Sequence, residues 1–117
     1  MDKARRDCYR LIQVLMARGL CRHDGCQSPA TVGHHMFKRN RLGTAFLPDA
    51  IVPLCENHHR WAHAHPTDFE AMARKRMGSE HYDRIKALSL SVVRMRGDDF
   101  KRIRATLENG LNKYTRN

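Results

Sequence analysis

The chain has 117 residues, of which 41% are hydrophobic and 29% are charged. This length predicts one domain over residues 1–117 and excludes two independent cores, and the lack of a long apolar run excludes a membrane span. The formal net charge of +10 excludes an acidic protein and predicts a polyanionic partner, most commonly nucleic acid, with a merely solvated basic surface as the alternative.

The positive charge lies in the two flanks of the chain. Residues 1–20 carry five basic and two acidic residues, residues 71–117 carry twelve and five, and residues 21–70 carry five of each. The neutral middle holds seven of the eight histidines and three of the four cysteines. This distribution predicts a chemical centre between two cationic segments.

The first predicted element is an amphipathic helix over residues 2–18, followed by Gly19 as a stop. Its apolar stripe has helical spacing and includes Tyr9, Ile12, Leu15 and Met16. No small-residue cleavage site follows, so the segment is not expected to be a secretory signal, and the thiols of a cytosolic chain stay reduced. Cys8 on this helix is expected to be a small buried residue and not a metal ligand.

The helical period disappears between residues 21 and 53, where glycines and prolines indicate turns and short strands. The segments ATVGHHMF, residues 30–37, and AIVPLC, residues 50–55, are the predicted strands. Pro53 predicts that the second strand lies at an edge or ends there, because proline has no N–H to donate.

Helices are predicted again after the second strand, which makes the expected fold class α+β. Thr67 and Glu70 have the spacing of a capping box, which places one helix start at Asp68. The predicted helices are one that begins near Glu56 and stops at Pro66, one over residues 68–77, one that begins at Ser79 and one over residues 98–114.

Two short-spaced pairs of metal-ligand residues flank the predicted strands. Four residues separate Cys21 from Cys26, and two separate Cys55 from His58. Structural zinc takes four Cys or His ligands in a tetrahedron, usually as two such pairs. The sequence therefore predicts a structural Zn²⁺ site, with His23 as a competitor for one position and with a disulfide or isolated thiols as the alternatives.

Further histidines remain beside this predicted zinc site. His59 and His63 lie four apart on a predicted helix, so their side chains share one face and could hold one ion. His34 and His35 are adjacent on a predicted strand, where neighbouring side chains point to opposite faces. One of these two could complete the ion site while the other acts as a general base on water. Together with a divalent cation, this set predicts phosphodiester hydrolysis.

Two segments, VGHHMFKR and AIVPLCENHHRWAHAHP, resemble the HNH, or ββα-metal, endonucleases. They are similar in particular to phage and prophage HNH proteins and to the colicin-type nucleases, which also use a His-His pair. The resemblance covers residues 21–65. It implies a zinc-stapled core of two antiparallel strands and a helix around one catalytic ion. The basic helix over residues 1–20 and the basic helical extension over residues 66–117 then flank this core.

The family's functional residues carry over by position. The resemblance implies that His35 is the general base and that the catalytic ion, Mg²⁺, Mn²⁺, Ni²⁺ or Zn²⁺, binds His34, His59 and His63, with His59 the firmer helix position. Catalytic residues would thus be His34, His35 and His59. The structural zinc ligands would be Cys21, Cys26, Cys55 and His58, and the contacts to DNA phosphates would come from Lys38, Arg39 and Arg41.

The resemblance also implies a setting for this chemistry. The expected substrate is duplex or branched DNA, with a role in phage recombination or DNA processing. The expected location is the cytoplasm of a bacterium or of a phage-infected cell, and the protein would act as a monomer or a homodimer.

One position departs from the family's pattern. The central Asn of the family usually stands just before the second strand, where this chain has Ala50, preceded by Asp49. Asp49 and Asn57 are the candidate replacements. The departure leaves a non-catalytic, zinc-stapled DNA-binding module as the alternative function. A metal-stapled adaptor for an acidic partner protein is a third reading.

Overall fold

The computed structural model describes residues 2–115, so residues 1, 116 and 117 of the predicted flanking segments lie outside it. The described chain is α+β, with five helices and one two-stranded antiparallel sheet. The elements in chain order are α1 Lys3–Met16, β1 Val32–His35, a 3₁₀ turn Pro48–Ala50, β2 Ile51–Leu54, α2 Glu56–Ala64, α3 Pro66–Met77, α4 Ser79–Leu90 and α5 Gly97–Thr115. In this range, no helix has both the length and the apolar character needed to cross a bilayer.

The two strands pair from Val32 opposite Leu54 to His35 opposite Ile51. Pro53 therefore lies opposite Gly33. Both backbone polar groups of Gly33 bond to a side chain of α1, so this pair needs no N–H from the proline. The prediction that Pro53 lies in an edge strand is confirmed, since a two-stranded sheet has only edge strands.

Alternating side chains of β2 enter two hydrophobic cores on opposite faces of the sheet. Ile51 packs with α1 and α5, in a core that includes Ile12 and Phe100. Val52 and Leu54 pack on the other face, in a core built with residues of α2, α3 and α4. The sheet thus stands between an N- and C-terminal helix pair and a three-helix layer.

Helix α1 is fixed at its start and along its buried face. The carboxylate of Asp2 caps it by accepting hydrogen bonds from the N–H groups of Ala4 and Arg5, at 2.8 and 3.3 Å. Cys8 is fully buried, and its thiol donates to the carbonyl oxygen of Phe100 on α5 at 3.2 Å. The expectation that Cys8 is a packed core residue is therefore confirmed.

The start of α3 differs from the prediction. The helix begins at Pro66 and not at Asp68, and Thr67 forms no capping hydrogen bond, so the predicted capping box is wrong. Proline suits the first turn because its fixed φ is helical and its missing N–H has no partner there. Glu70 instead accepts from Arg74 at 3.0 Å and from the Tyr82 hydroxyl at 3.4 Å, which joins α3 to α4.

Candidate metal sites and the cavity beside them

The loop after α1 forms a knuckle that presents two thiols. The N–H of Cys21 donates to Ser28 at 2.8 Å, and the N–H of Cys26 donates to His23 at 3.0 Å. Gly25 makes the tight turn between the two cysteines with a φ of +74°, a conformation that suits glycine. The local backbone thus brings both sulfur atoms to one side of the loop.

The other two donors lie at the start of α2. Cys55 is the residue before the helix, and His58 is in its first turn. The Nδ1 atom of His58 lies 3.4 Å from the sulfur of Cys21 and 3.3 Å from the sulfur of Cys55. A tetrahedral zinc ion with S at about 2.3 Å and N at about 2.1 Å places such atoms about 3.6 Å apart.

We refer to these four residues as the closed cluster: Cys21, Cys26, Cys55 and His58. Their donor atoms all lie within 4.8 Å of one another, so the set could bind a metal ion. All four cysteines of the chain are free thiols, which excludes the disulfide alternative for this structure. The donor chemistry, three sulfurs and one imidazole, fits zinc.

His23 was expected to compete for a place in this cluster. Its ring stacks on the ring of His58 instead, with centroids 3.9 Å apart and planes at 2°. The Trp61 ring packs against the His23 ring nearly at a right angle, with centroids 4.7 Å apart. His23 therefore packs against a ligand residue and is not among the four converging donors.

Burial shifts the pKa values of two side chains of the closed cluster in opposite directions. It raises the pKa of the Cys21 thiol, while burial followed by the neighbouring His23 lowers the pKa of His58. A neutral imidazole is ready to coordinate, whereas a thiol must first lose its proton. Metal binding at the closed cluster would thus release protons, mainly from cysteine.

A second cluster joins β1 to α2. We refer to His34, His59 and His63 as the open cluster; their donor atoms also lie within 4.8 Å of one another. The Nε2 atoms of His59 and His63 are 3.0 Å apart. Two nitrogens about 2.1 Å from one octahedral ion, in adjacent positions, would lie about 3.0 Å apart. The spacing therefore fits a shared ion, and in its absence an N–H···N hydrogen bond.

Burial keeps the strand histidine of the open cluster neutral. Burial and then the charges of His63, His59 and His35 lower the pKa of His34 to about 4. Phe69 packs its edge against this ring, with centroids 4.6 Å apart. The pKa of His59 is also lowered, by burial first and by His63 second. These rings are thus available as ligands at neutral pH.

His35 lies outside both clusters and bonds to a different part of the chain. Its Nε2 atom lies 2.9 Å from the carbonyl oxygen of Ala45, which can only accept a hydrogen bond, so Nε2 carries the proton. In the neutral ring, Nδ1 then holds the free lone pair. Burial and the charge of Arg39 lower the pKa of His35, against the opposite effect of the Ala45 bond.

Both strand histidines line one cavity of about 990 Å³. Its lining also includes the three cationic residues singled out in the sequence, Lys38, Arg39 and Arg41. Lys86 of α4 lines the same cavity and was missed by the sequence analysis. The sequence carries no signal for it, because the approach of α4 to the cavity is a tertiary contact.

Ala50, Asp49 and Asn57 each have a partner in the structure. Ala50 is 1% exposed, and its carbonyl accepts from the N–H of Met36 at 2.9 Å. Asp49 pairs with His81 at 3.3 Å, and Asn57 accepts from Arg60 at 2.9 Å. The two candidate replacements thus bond to α4 and within α2, and neither bonds to His34 or His35.

The chain was also compared with known protein families, proteins and structures. No family model, no curated protein and no solved structure matches the chain. A function is therefore inferred from the two clusters, the placement of His35 and the cationic cavity.

Proposed function

We propose that this protein is a metal-dependent endonuclease of the HNH type that hydrolyses DNA phosphodiester bonds. The observation that supports it most is the division between two adjacent histidines of β1. His34 belongs to a three-imidazole cluster, whereas His35 holds a neutral ring through Ala45 with Nδ1 free. Both line the same cavity. An ion site beside a separate base is what hydrolysis of a phosphodiester requires.

The open cluster would hold the catalytic ion. A divalent cation there would supply positive charge to a phosphate oxygen and to the leaving oxygen. Its three donors are all imidazoles, a set that suits Zn²⁺, Ni²⁺ and similar ions better than Mg²⁺, which prefers carboxylates. We therefore expect Mg²⁺ to be the weakest of the four candidate ions in supporting cleavage.

The protein's own groups would perform the remaining steps. His35 takes a proton from water at Nδ1, and the Ala45 carbonyl, already bonded at Nε2, stabilises the charge that the ring gains. The phosphates that flank the cleaved bond would be bound by the cationic residues of the cavity, which are Lys38, Arg39, Arg41 and Lys86. The closed cluster would hold a structural zinc ion that fixes the first turn of α2.

The test is cleavage of supercoiled plasmid and of labelled branched DNA with Mg²⁺, Mn²⁺, Ni²⁺ or Zn²⁺ added. His35→Ala should lower the rate by about 10²- to 10⁴-fold, the usual contribution of a general base, while zinc content and DNA affinity stay unchanged. His81→Ala is the matched control, because this histidine pairs with exposed Asp49 and its loss should leave the rate unchanged.

Two outcomes would contradict this proposal, the first the nuclease itself and the second the role of His35. No cleavage with any ion, with salt-sensitive DNA binding intact, would favour the zinc-stapled binding module and point to Ala50 as the reason. A His35→Ala variant that unfolds would indicate a structural role for His35, and one that cleaves as fast as the wild type would remove His35 from the mechanism.

A further inference from the structure

Helix α1 lies outside the segment 21–65 that carries the HNH resemblance, yet it supplies a polar side chain to the cavity. Gln13 is one of the lining residues. Its Nε2 atom donates to the carbonyl oxygen of Gly33 at 2.8 Å, and its Oε1 atom accepts from the N–H of Gly33 at 2.9 Å. A single amide group therefore satisfies both backbone polar groups of the residue before His34.

The position of Gly33 in the sheet explains why this pair of hydrogen bonds is needed. Gly33 lies opposite Pro53, and its polar groups point to the open edge of β1. Without Gln13, the edge of the strand that carries both histidines would have only water as a partner. Amide hydrogen bonds on both groups of one residue fix its peptide planes and hence the direction of the next side chain.

The helix also touches this strand directly. A Cβ atom added at Gly33 would lie 2.7 Å from the side chain of Ile51 and 2.8 Å from Cβ of Met16. Only glycine therefore allows α1 to approach β1 this closely. The contact leaves the Gln13 amide at bonding distance, with no water between it and the strand.

A second residue of the same helix face holds the chain after the histidine pair. Tyr9, one turn before Gln13, donates its hydroxyl to the carbonyl of Arg39 at 2.7 Å. The guanidinium of Arg39 lies over the Tyr9 ring at 4.9 Å. Helix α1 thus holds the backbone on both sides of His34 and His35, at residues 33 and 39.

We propose that Gln13 is a positioning residue for the histidine pair. Its amide fixes β1 at Gly33 and so sets the direction in which His34 faces the open cluster and His35 faces the cavity. The kinetic consequence rests on the proposed nuclease function. The consequence for ion binding at the open cluster does not.

The first experiment compares Gln13→Ala with Val14→Ala in the zinc-loaded protein. Val14 is the adjacent, exposed residue of α1, so its truncation serves as the matched control. For Gln13→Ala we expect kcat to fall by about 10- to 100-fold and the Co²⁺ affinity of the open cluster to fall by about 10-fold, with KM within about twofold. Cleavage kinetics, Co²⁺ absorption and melting temperature are the measurements.

A second variant separates positioning from folding. In Gln13→Glu, the ionised carboxylate still accepts from the N–H of Gly33 but repels its carbonyl, whereas the protonated carboxyl reproduces both bonds of the amide. With the ordinary glutamate pKa of about 4.3, this variant is ionised at neutral pH, so it keeps one of the two bonds. It should lose kcat as Gln13→Ala does, while its melting temperature stays close to that of the wild type.

The outcomes distinguish this proposal from the nuclease. If the wild type cleaves and Gln13→Ala cleaves with the same kcat, the positioning role is wrong while the nuclease stands. It is also wrong if Gln13→Glu keeps the wild-type kcat at neutral pH. If the wild type fails to cleave DNA with every ion tested, the nuclease proposal fails, and the Co²⁺ affinity of the open cluster then tests the positioning role. A tenfold loss of that affinity in Gln13→Ala supports the role, and an unchanged affinity overturns it.

Discussion

The closed and open clusters share helix α2 but differ in number of donors and in surroundings. The closed cluster has four donors, and the rings of His23 and Trp61 cover its histidine. The open cluster has three donors and lines a cavity of about 990 Å³ with cationic residues. Structural metal sites in proteins are saturated by protein ligands, whereas catalytic sites keep positions for water and substrate. Under the proposed function, one histidine-rich helix would therefore carry donors for both kinds of metal site.

The largest expected difference between the clusters is in stability, when one donor is removed from each. Cys55→Ser takes a sulfur from the closed cluster, where metal binding energy is folding energy, so the free energy of unfolding should fall by at least about 3 kcal/mol. His63→Ala takes an exposed donor from the open cluster and should change the melting temperature little. Thermal unfolding with and without a chelator measures both.

Two controls make this comparison decisive. Cys8→Ala removes a buried thiol that donates to the Phe100 carbonyl and belongs to neither cluster, and it should leave the response to the chelator as in the wild type. An unchanged melting temperature in Cys55→Ser would contradict the structural role of the closed cluster. An equal loss in His63→Ala would contradict the distinction between the clusters.

A smaller effect sharpens the comparison through pH. The pKa of His34 is about 4 in the folded protein, against its ordinary 6.5, so the unfolded chain binds more protons between these values. Stability from this group is present above pH 6.5 and is lost as the pH falls towards 4. Between pH 7.5 and pH 5.5, the wild type should lose about 1 kcal/mol more than His34→Asn.

Chemical denaturation at the two pH values, without added ions for the open cluster, measures this difference. Comparison within the pair cancels the acid-driven release of zinc, since both proteins keep the closed cluster. Identical pH dependences of the two proteins would show that His34 is not held neutral by its surroundings.

The smallest expected effect concerns the cationic cavity. Lys86→Ala should weaken DNA binding by about threefold at low salt and should lower the salt slope by about 0.9, the contribution of one phosphate contact on duplex DNA. Arg84→Ala removes the same charge from an exposed position of α4 that is not part of the cavity lining, and it should have less effect. Binding titrations at several salt concentrations provide the measurement. Equal losses in the two variants would indicate a diffuse charge effect.

Sequence reasoning predicted the candidate ligands on α2 because their spacing is local. Cys55 with His58, and His59 with His63, lie three or four apart, so a helix alone sets which of them share a face. The two strands followed from turn residues and from period, and the structure has both, each shorter than predicted. The predicted start of α3, Asp68, was wrong because the helix already begins at Pro66, before Thr67 can cap it.

Gln13 could not be predicted because its partner lies 20 residues away. In the sequence it is a polar interruption of an apolar stripe, and such a residue usually faces water. Its role depends on how closely α1 crosses β1, which the absence of a side chain at Gly33 permits. Lys86 was missed for a related reason, since the approach of α4 to the cavity is a tertiary contact.

The order His58-His59 in the chain has a thermodynamic consequence. Consecutive residues of a helix point about 100° apart, so one histidine reaches the closed cluster and the next reaches the open one. An ion at the closed cluster would order the turn that also carries His59, and it would thereby raise the affinity of the open cluster for its own ion. Linkage is reciprocal, so an ion at the open cluster must strengthen the closed one by the same factor. Loading of the two ions is expected to be cooperative.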